Sequence, residues 1–308
     1  MARNDNPALD PRLAAAVGDL RLRARLVVEG LVAGLHRSPL AGVAQEFVEH
    51  RPYRPGDEPR LVDWRTWAKT DRLYVKTYEE ESDLRLWLVL DVSASMGYRG
   101  EGTGVDKLEY ARTLAAALAY LTVRQGDNLG LAVFSAGLSA YLPPRRGPLQ
   151  LGKVLNVLTT LDPGGGTDYE ALVRELAGRA GRRGLFVIIS DLWGEDDDPG
   201  ASLAALAARR HELIALRVLD PDEIAPDFSG PLLLRGLEED AELPVDAEAL
   251  GRAYRERFAE HDGRLAARLR AAGADYLRLS TAGDFIAPLR RFLARRDRLR
   301  NATGRPTR

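Results

Sequence analysis

A chain of 308 residues with 45% hydrophobic and 29% charged residues has the balance of a core-forming protein, which excludes a wholly disordered chain. Lys+Arg 44 against Asp+Glu 45 leaves a formal net charge of −1, which excludes a nucleic-acid binder that works by bulk electrostatics. Cys 0 excludes disulfides, thiolate metal centres and Cys nucleophiles, and the N-terminus MARNDNPALD lacks the apolar region of a signal peptide, so a cytoplasmic protein is expected.

Apolar residues Leu13, Val17, Leu20, Ala24, Val27, Leu31 and Leu35 recur at helical spacing, so one amphipathic helix is predicted over 12–35. Residues 36–82 read as irregular and polar, with a short strand at Tyr74–Tyr78. From residue 84 the rhythm changes. Leu84–Leu90, Leu129–Phe134, Leu185–Ile189 and Leu213–Leu219 are nearly continuous apolar runs, which suit parallel strands buried on both faces. A helix is predicted at Asp106–Arg124, opened by a capping box of Asp106 and Glu109 and closed before Gly126. Further helices fit at about 149–160, 168–180, 200–210, 247–272 and 284–296. Ala274–Leu279 is a last strand, and Leu138–Leu142 an antiparallel edge reached through an Ala136-Gly137 turn. The expected fold is α/β: a doubly wound, mostly parallel sheet flanked by helices, of Rossmann-like type. Residues 1–82 would form an N-terminal helix plus irregular segment, 83–297 the sheet domain, and 298–308 a disordered basic tail. The longest apolar stretch, Leu114–Val123, is about half of the ~20 residues a membrane span needs, so no transmembrane segment is predicted.

Ligands of an open parallel sheet sit beyond the carboxyl ends of its strands, at the point where the strand order reverses. The first apolar run ends in Asp91-Val92-Ser93-Ala94-Ser95, the third in Ser190-Asp191, and a loop Gly164-Gly165-Gly166 between them delivers Thr167-Asp168. Asp91, Ser93, Ser95, Thr167 and Asp191 are therefore candidate metal ligands. Oxygen-only donors with few carboxylates and several hydroxyls favour a hard cation, Mg²⁺ or the similarly octahedral Mn²⁺. Two carboxylates leave such an ion with net positive charge and room for an outside anion.

This arrangement resembles the metal-ion-dependent adhesion site of von Willebrand factor A domains. The resemblance implies that the serines and the threonine ligate Mg²⁺ directly or through water, that the aspartates act largely through water, and that a partner's Asp or Glu completes the sphere. A second resemblance lies upstream. Glu46-Phe47, Arg51, Tyr53, Pro55-Gly56-Asp57, Arg60 and Asp63-Trp64, with His211-Glu212 and Asp220-Pro221-Asp222-Glu223, resemble the signature of the bacterial family called domain of unknown function 58 (DUF58). It implies a von Willebrand A-like domain that acts as a metal-dependent adaptor, working with a MoxR-type AAA+ ATPase or the client it remodels.

Other readings compete at the same residues. Asp91 and Asp191 can cap neighbouring helices or turns, and Thr167 with Glu170 spells a capping box. Arg51, Asp57, Arg60 and Asp63 can form structural ion pairs over Tyr53, Trp64 and Trp67, or, with Tyr53 and Trp64, a docking segment. Asp91 can also be read as the nucleophile of a Mg²⁺-dependent phosphoryl-transfer hydrolase. That chemistry wants a second acid two residues on and a nearby lysine. Position 93 is Ser, and Lys107 is the one lysine that follows closely in sequence, so binding without turnover is the preferred expectation. Gly147–Val154 approximates a phosphate-binding loop, but Val154 replaces the Mg²⁺-binding hydroxyl and a Pro-Pro-Arg-Arg loop is expected before it.

Overall fold

The computed structural model describes residues 10–35, 51–52, 67, 73–75, 84–100, 103–181, 183–193, 198–226, 231–235 and 242–303. Arg51–Pro52 (β1) pairs antiparallel with Tyr74–Val75 (β2), which is shorter than the strand expected at Tyr74–Tyr78. The main sheet has six strands: Arg85–Asp91 (β3), Asn128–Phe134 (β4), Leu138–Arg145 (β5), Leu185–Ser190 (β6), Glu212–Leu219 (β7) and Asp275–Ser280 (β10). Their order is β10-β7-β6-β3-β4-β5, parallel throughout except for β5, which runs antiparallel to β4 at the edge.

Alternation along each strand explains the continuous apolar runs. Leu86, Leu88 and Leu90 join one core with Leu131, Val133, Val187, Ile189, Leu216 and Val218. Trp87 and Val89 face the other way, with Ala132, Phe134, Phe186, Ile188 and Ala215. Both faces of the central strands are dry, and each fully buried Leu or Val contributes roughly 1.5–3 kcal/mol. On the first face lie Leu20–Leu35 (α2), Lys107–Arg124 (α3), Pro148–Thr159 (α4) and Ile286–Thr303 (α9). On the second lie Tyr169–Arg179 (α5), Pro199–Ala207 (α6) and Ala247–Ala271 (α8). This is the doubly wound α/β architecture expected from the sequence.

Four local expectations need correction. The helix over 12–35 is broken into Pro11–Ala15 (α1) and α2, because Asp19 accepts the Leu22 N–H at 2.8 Å and starts a new helix. Arg23 Nη2 donates to the Val17 carbonyl at 2.8 Å and closes the break. Strand β5 extends to Arg145 and takes in Pro143-Pro144, which had read as a loop; an edge strand tolerates prolines because its outer side needs no donor. A hairpin of Pro231–Arg235 (β8) and Glu242–Asp246 (β9) has no counterpart in the sequence reading. Helix α9 runs on to Thr303, through the start of the expected disordered tail. Its arginines explain this: Arg291 and Arg298 reach Asp275 at 2.9 and 3.3 Å, and Arg295 pairs with Glu212. Among the described residues no helix is long and apolar enough to cross a membrane.

Candidate functional site

The strand order reverses between β3 and β6. From β3 the chain moves outward to β4 and β5; from β6 it moves the other way, to β7 and β10. Leu90 pairs with Ile189, so Asp91 and Ser190 end neighbouring strands at this crevice. Ser190 Oγ donates to Asp91 Oδ2 at 2.6 Å, and the Ser93 N–H donates to Asp91 Oδ1 at 2.9 Å. The Ser93 and Ser95 hydroxyls stand 3.1 Å apart at the entry of a 3-10 turn over Ala94–Gly97. Asp91 and Ser93 are buried, whereas Ser95 is partly open to solvent.

The glycine loop is lashed to the same crevice. The Gly164 N–H donates to the Val92 carbonyl at 2.8 Å, and the Ala94 N–H to the Gly165 carbonyl at 2.9 Å. Gly165 holds φ +76°, a backbone region that favours glycine. Half-buried Thr167 follows this loop. The cap of α5 is Asp168, which accepts the Ala171 N–H at 2.7 Å, so the capping box expected of Thr167 is not the one formed. The turn-capping reading of Asp91 and Asp191 stands beside the metal reading: each carboxylate accepts the N–H two residues on, from Ser93 and from Trp193, while Ser93 caps the 3-10 turn without a side-chain bond of its own. Thr167 thus lies between Gly164 and Gly165, which bond to the turn after β3, and Asp168, whose N–H donates to the Ser135 carbonyl at 3.2 Å.

Asp191 is pinned at every atom that can accept. Its Oδ2 accepts from Lys107 Nζ at 2.8 Å, its Oδ1 from the Trp193 N–H at 3.3 Å, and its carbonyl from Arg217 Nε at 2.8 Å. Between Asp191 and Trp193, buried Leu192 sits at φ 53°, a strained position for a branched side chain. Arg217 is itself buried, bonded to Asp262 at 2.9 Å and stacked 4.7 Å from the Trp193 ring. Lys107 also reaches Glu223 Oε1 at 2.7 Å. Glu223 belongs to a capping box with Asp220 on the short helix Pro221–Ile224 (α7), and Asp220 Oδ2 accepts from the Gly100 N–H and the Thr281 hydroxyl.

Electrostatics follow from this burial. Desolvation, reinforced by the neighbouring Asp191, raises Asp91 from an ordinary 3.8 to about 7, although the hydrogen bonds from Ser190 and Ser93 pull it down. Burial disfavours the charged form of Lys107, but Asp191 and Glu223 together outweigh it and hold the ammonium above its ordinary value. Burial likewise pushes Glu223 up, against the pull of Lys107. Tyr169, whose hydroxyl lies 2.8 Å from Ser190 Oγ, stands well above its usual range through burial and then the charges of Asp91 and Asp191.

The structure therefore brings Asp91, Ser93, Ser95 and Asp191 to one crevice, with Thr167 on the loop bonded to it. Two buried carboxylates beside hydroxyl oxygens fit a small hard cation, since among the described residues only one of them, Asp191, has a cationic partner. Among the described residues no three His, Cys, Asp or Glu side chains form a cage, so such a site depends on its hydroxyls. Of the docking segment, Arg51 lies in β1, while Tyr53, Asp57, Arg60, Asp63 and Trp64 fall outside the described residues. Trp67, expected beneath that segment, is 42% exposed. The sequence reading missed Ser190, Arg217, Asp220 and Glu223 as participants, and saw Lys107 only as a possible phosphate partner.

Comparison with known proteins places this geometry in a family. The sequence model described as "Protein of unknown function DUF58" matches residues 49–266. An uncharacterized protein of Mycobacterium tuberculosis (strain ATCC 25618 / H37Rv) is 34% identical over 298 residues, covering 94% of this chain and 91% of its own. Among solved structures, an aerotolerance-related membrane protein from Bacteroides fragilis superposes with a TM-score of 0.41 at 17% identity, over 64% of this chain and 91% of that one. The SpRpn10 VWA domain gives a TM-score of 0.41 at 12% identity, over 67% and 93%. With the match over residues 49–266 and a relative at 34% identity along nearly its whole length, the chain belongs to the DUF58 family.

Proposed function

We propose that the crevice between β3 and β6 is a metal-ion-dependent adhesion site, and that the protein is a binding module without turnover. Asp91, Ser93, Ser95, Thr167 and Asp191 would hold Mg²⁺, with Mn²⁺ as the alternative ion. The ion supplies a positive centre for an Asp or Glu of a partner protein. The observation that carries this reading is the pairing of buried Asp91 with Asp191 at the switch point, beside two hydroxyls 3.1 Å apart. Lys107 pairs with Asp191, but Asp91 has no cationic partner among the described residues, and a buried carboxylate beside a second one is unfavourable unless a cation joins it. The motif order matches the adhesion site of von Willebrand factor A domains, and the DUF58 resemblance suggests the partner: a cytoplasmic MoxR-type AAA+ ATPase or its client.

Within the crevice the chain's own groups have distinct tasks. Ser190 and the Ser93 N–H orient the Asp91 carboxylate; the Trp193 N–H and Arg217 orient Asp191, whose Oδ2 Lys107 occupies. A rigid donor set loses little entropy on binding, which favours affinity. The hydrolase alternative has one observation for it, the buried ammonium of Lys107 beside Asp191. Against it, that ammonium is held between two carboxylates, and both oxygens of Asp91 accept hydrogen bonds.

The test is a pull-down from native lysate with tagged protein in Mg²⁺, in EDTA, and with Asp91→Ala. An AAA+ ATPase or its client retained in Mg²⁺ and lost in both controls supports the reading. Retention in all three moves the interface away from the metal, to the Arg51–Trp64 segment. Mg²⁺-dependent hydrolysis of an aryl phosphate, abolished in Asp91→Asn, would replace binding with catalysis.

A further inference from the structure

Lys107 is an unusual residue for its position. It opens α3 directly after the cap Asp106, where the positive end of the helix dipole disfavours a cation. It is fully buried, and burying an ammonium is unfavourable unless it is paired. Of the 44 basic residues only Lys69, Lys76, Lys107 and Lys153 are lysines, so arginine supplies the positive charge almost everywhere else. A compact ammonium rather than a broad guanidinium is thus selected at the one place where the cation must fit between two carboxylates, 2.8 Å from Asp191 and 2.7 Å from Glu223.

Resting on the adhesion-site reading, we propose that Lys107 is the specificity-determining residue of the crevice: an internal cation that weakens binding of a divalent metal and strengthens binding of an anionic side chain to the metal-bound form. The physical basis is charge and occupancy. Lys107 takes one oxygen of Asp191 and places a positive charge in the desolvated crevice, which repels an incoming divalent ion. The same charge offsets part of the negative charge of Asp91, Asp191 and Glu223, so a partner's carboxylate meets a less negative surface. Metal and partner then bind cooperatively, each favouring the other. Glu223 moderates the effect by sharing the ammonium with Asp191.

Two variants of the whole chain test this with opposite expected signs. Lys107→Met removes the charge at similar length, and Mn²⁺ affinity by titration calorimetry should rise on the order of tenfold. Glu223→Gln leaves Lys107 to Asp191 alone, and Mn²⁺ affinity should fall several-fold. Acetate, added as the anionic probe to Mn²⁺-saturated protein and followed by water-proton relaxation, should bind about threefold or more weakly in Lys107→Met than in wild type. A salt bridge that only holds the loops together predicts weaker Mn²⁺ binding in both variants. That result, or variants matching wild type, overturns the role of Lys107 while the metal site stands. Wild-type protein that binds no Mn²⁺ overturns the adhesion-site reading and this proposal together. If Lys107→Met does not fold, Lys107→Gln, which keeps a hydrogen-bond donor between the two carboxylates without the charge, takes its place: a rise in Mn²⁺ affinity supports the role of Lys107, and a fall or no change overturns it.

Discussion

Replacing Asp91 with Asn should make the metal-free protein more stable at neutral and alkaline pH. Asp91 is buried beside Asp191, and its proton affinity rises on folding from 3.8 to about 7. A group whose proton is held more tightly in the folded state contributes stability that is complete below pH ~4 and is lost as pH rises through about 7. The span between those values corresponds to ~4 kcal/mol at pH 8. In Asp91→Asn the amide oxygen still accepts the Ser93 N–H, and the amide nitrogen donates to Ser190 Oγ, which turns its own proton toward Tyr169. That rearrangement costs about 1 kcal/mol, so the expected net gain is ~3 kcal/mol, or roughly 6–12 °C in Tm. The assay is thermal unfolding in EDTA at pH 8 and at pH 5, followed by circular dichroism. The gain should appear at pH 8 and shrink at pH 5, where wild-type Asp91 is already protonated. Mg²⁺ should raise the Tm of wild type but not of the variant. An Asp91→Asn protein less stable than wild type at pH 8 in EDTA refutes the reasoning, because the buried charge would then be compensated within the fold.

Two further expectations concern the scaffold. Gly184→Ala would drive a Cβ into the Trp87 ring and to 2.6 Å from the Arg85 carbonyl at the start of β3, and backbone cannot yield as a side chain can; chemical denaturation should show a loss of ~3 kcal/mol or more. His261, stacked 4.4 Å from Trp193, has its proton affinity lowered to about 4 by burial and then by Arg217 and Arg264. The unfolded chain takes up this proton near pH 6.5 and the folded chain only near 4, so stability complete above 6.5 is lost as pH falls through that window. After allowance for solvent at a half-buried site the loss is ~1–2 kcal/mol, and His261→Phe, which keeps the stack, should flatten it.

What the sequence disclosed depended on whether a local pattern had one physical cause. The parallel strands were legible because burial on both faces leaves no polar position, as Trp87 and Leu88 show by lying in opposite cores. The convergence of Asp91, Ser93 and Ser95 on one turn was legible because they lie two residues apart at a strand end. The break before α2 was not, since Val17 and Leu20 keep helical periodicity across it while Asp19 restarts the helix. Pro231 and Pro244 hid the β8–β9 hairpin, being poor signals for a strand. Helix α5 is capped one residue later than read, because Thr167 and Asp168 are both good caps and only the loop path chooses between them. Lys107 could be found only through its rarity: no local rule joins residue 107 to 191 and 223, yet a lone lysine at a helix start in an arginine-rich chain was a visible anomaly.

The crevice is also divided along the chain. Asp91 and Ser190 meet across 99 residues, and Lys107 meets Glu223 across 116. A nascent chain that has emerged as far as β5 already carries the DxSxS turn, Lys107 and the edge of the sheet, but it has neither Ser190 to orient Asp91 nor Asp191 to engage Lys107. The crevice therefore comes into being only when β6 docks against β3 and α7 follows. A protein that recognised the assembled crevice would thereby distinguish a chain folded through α7 from one in which the two halves of the sheet have yet to meet.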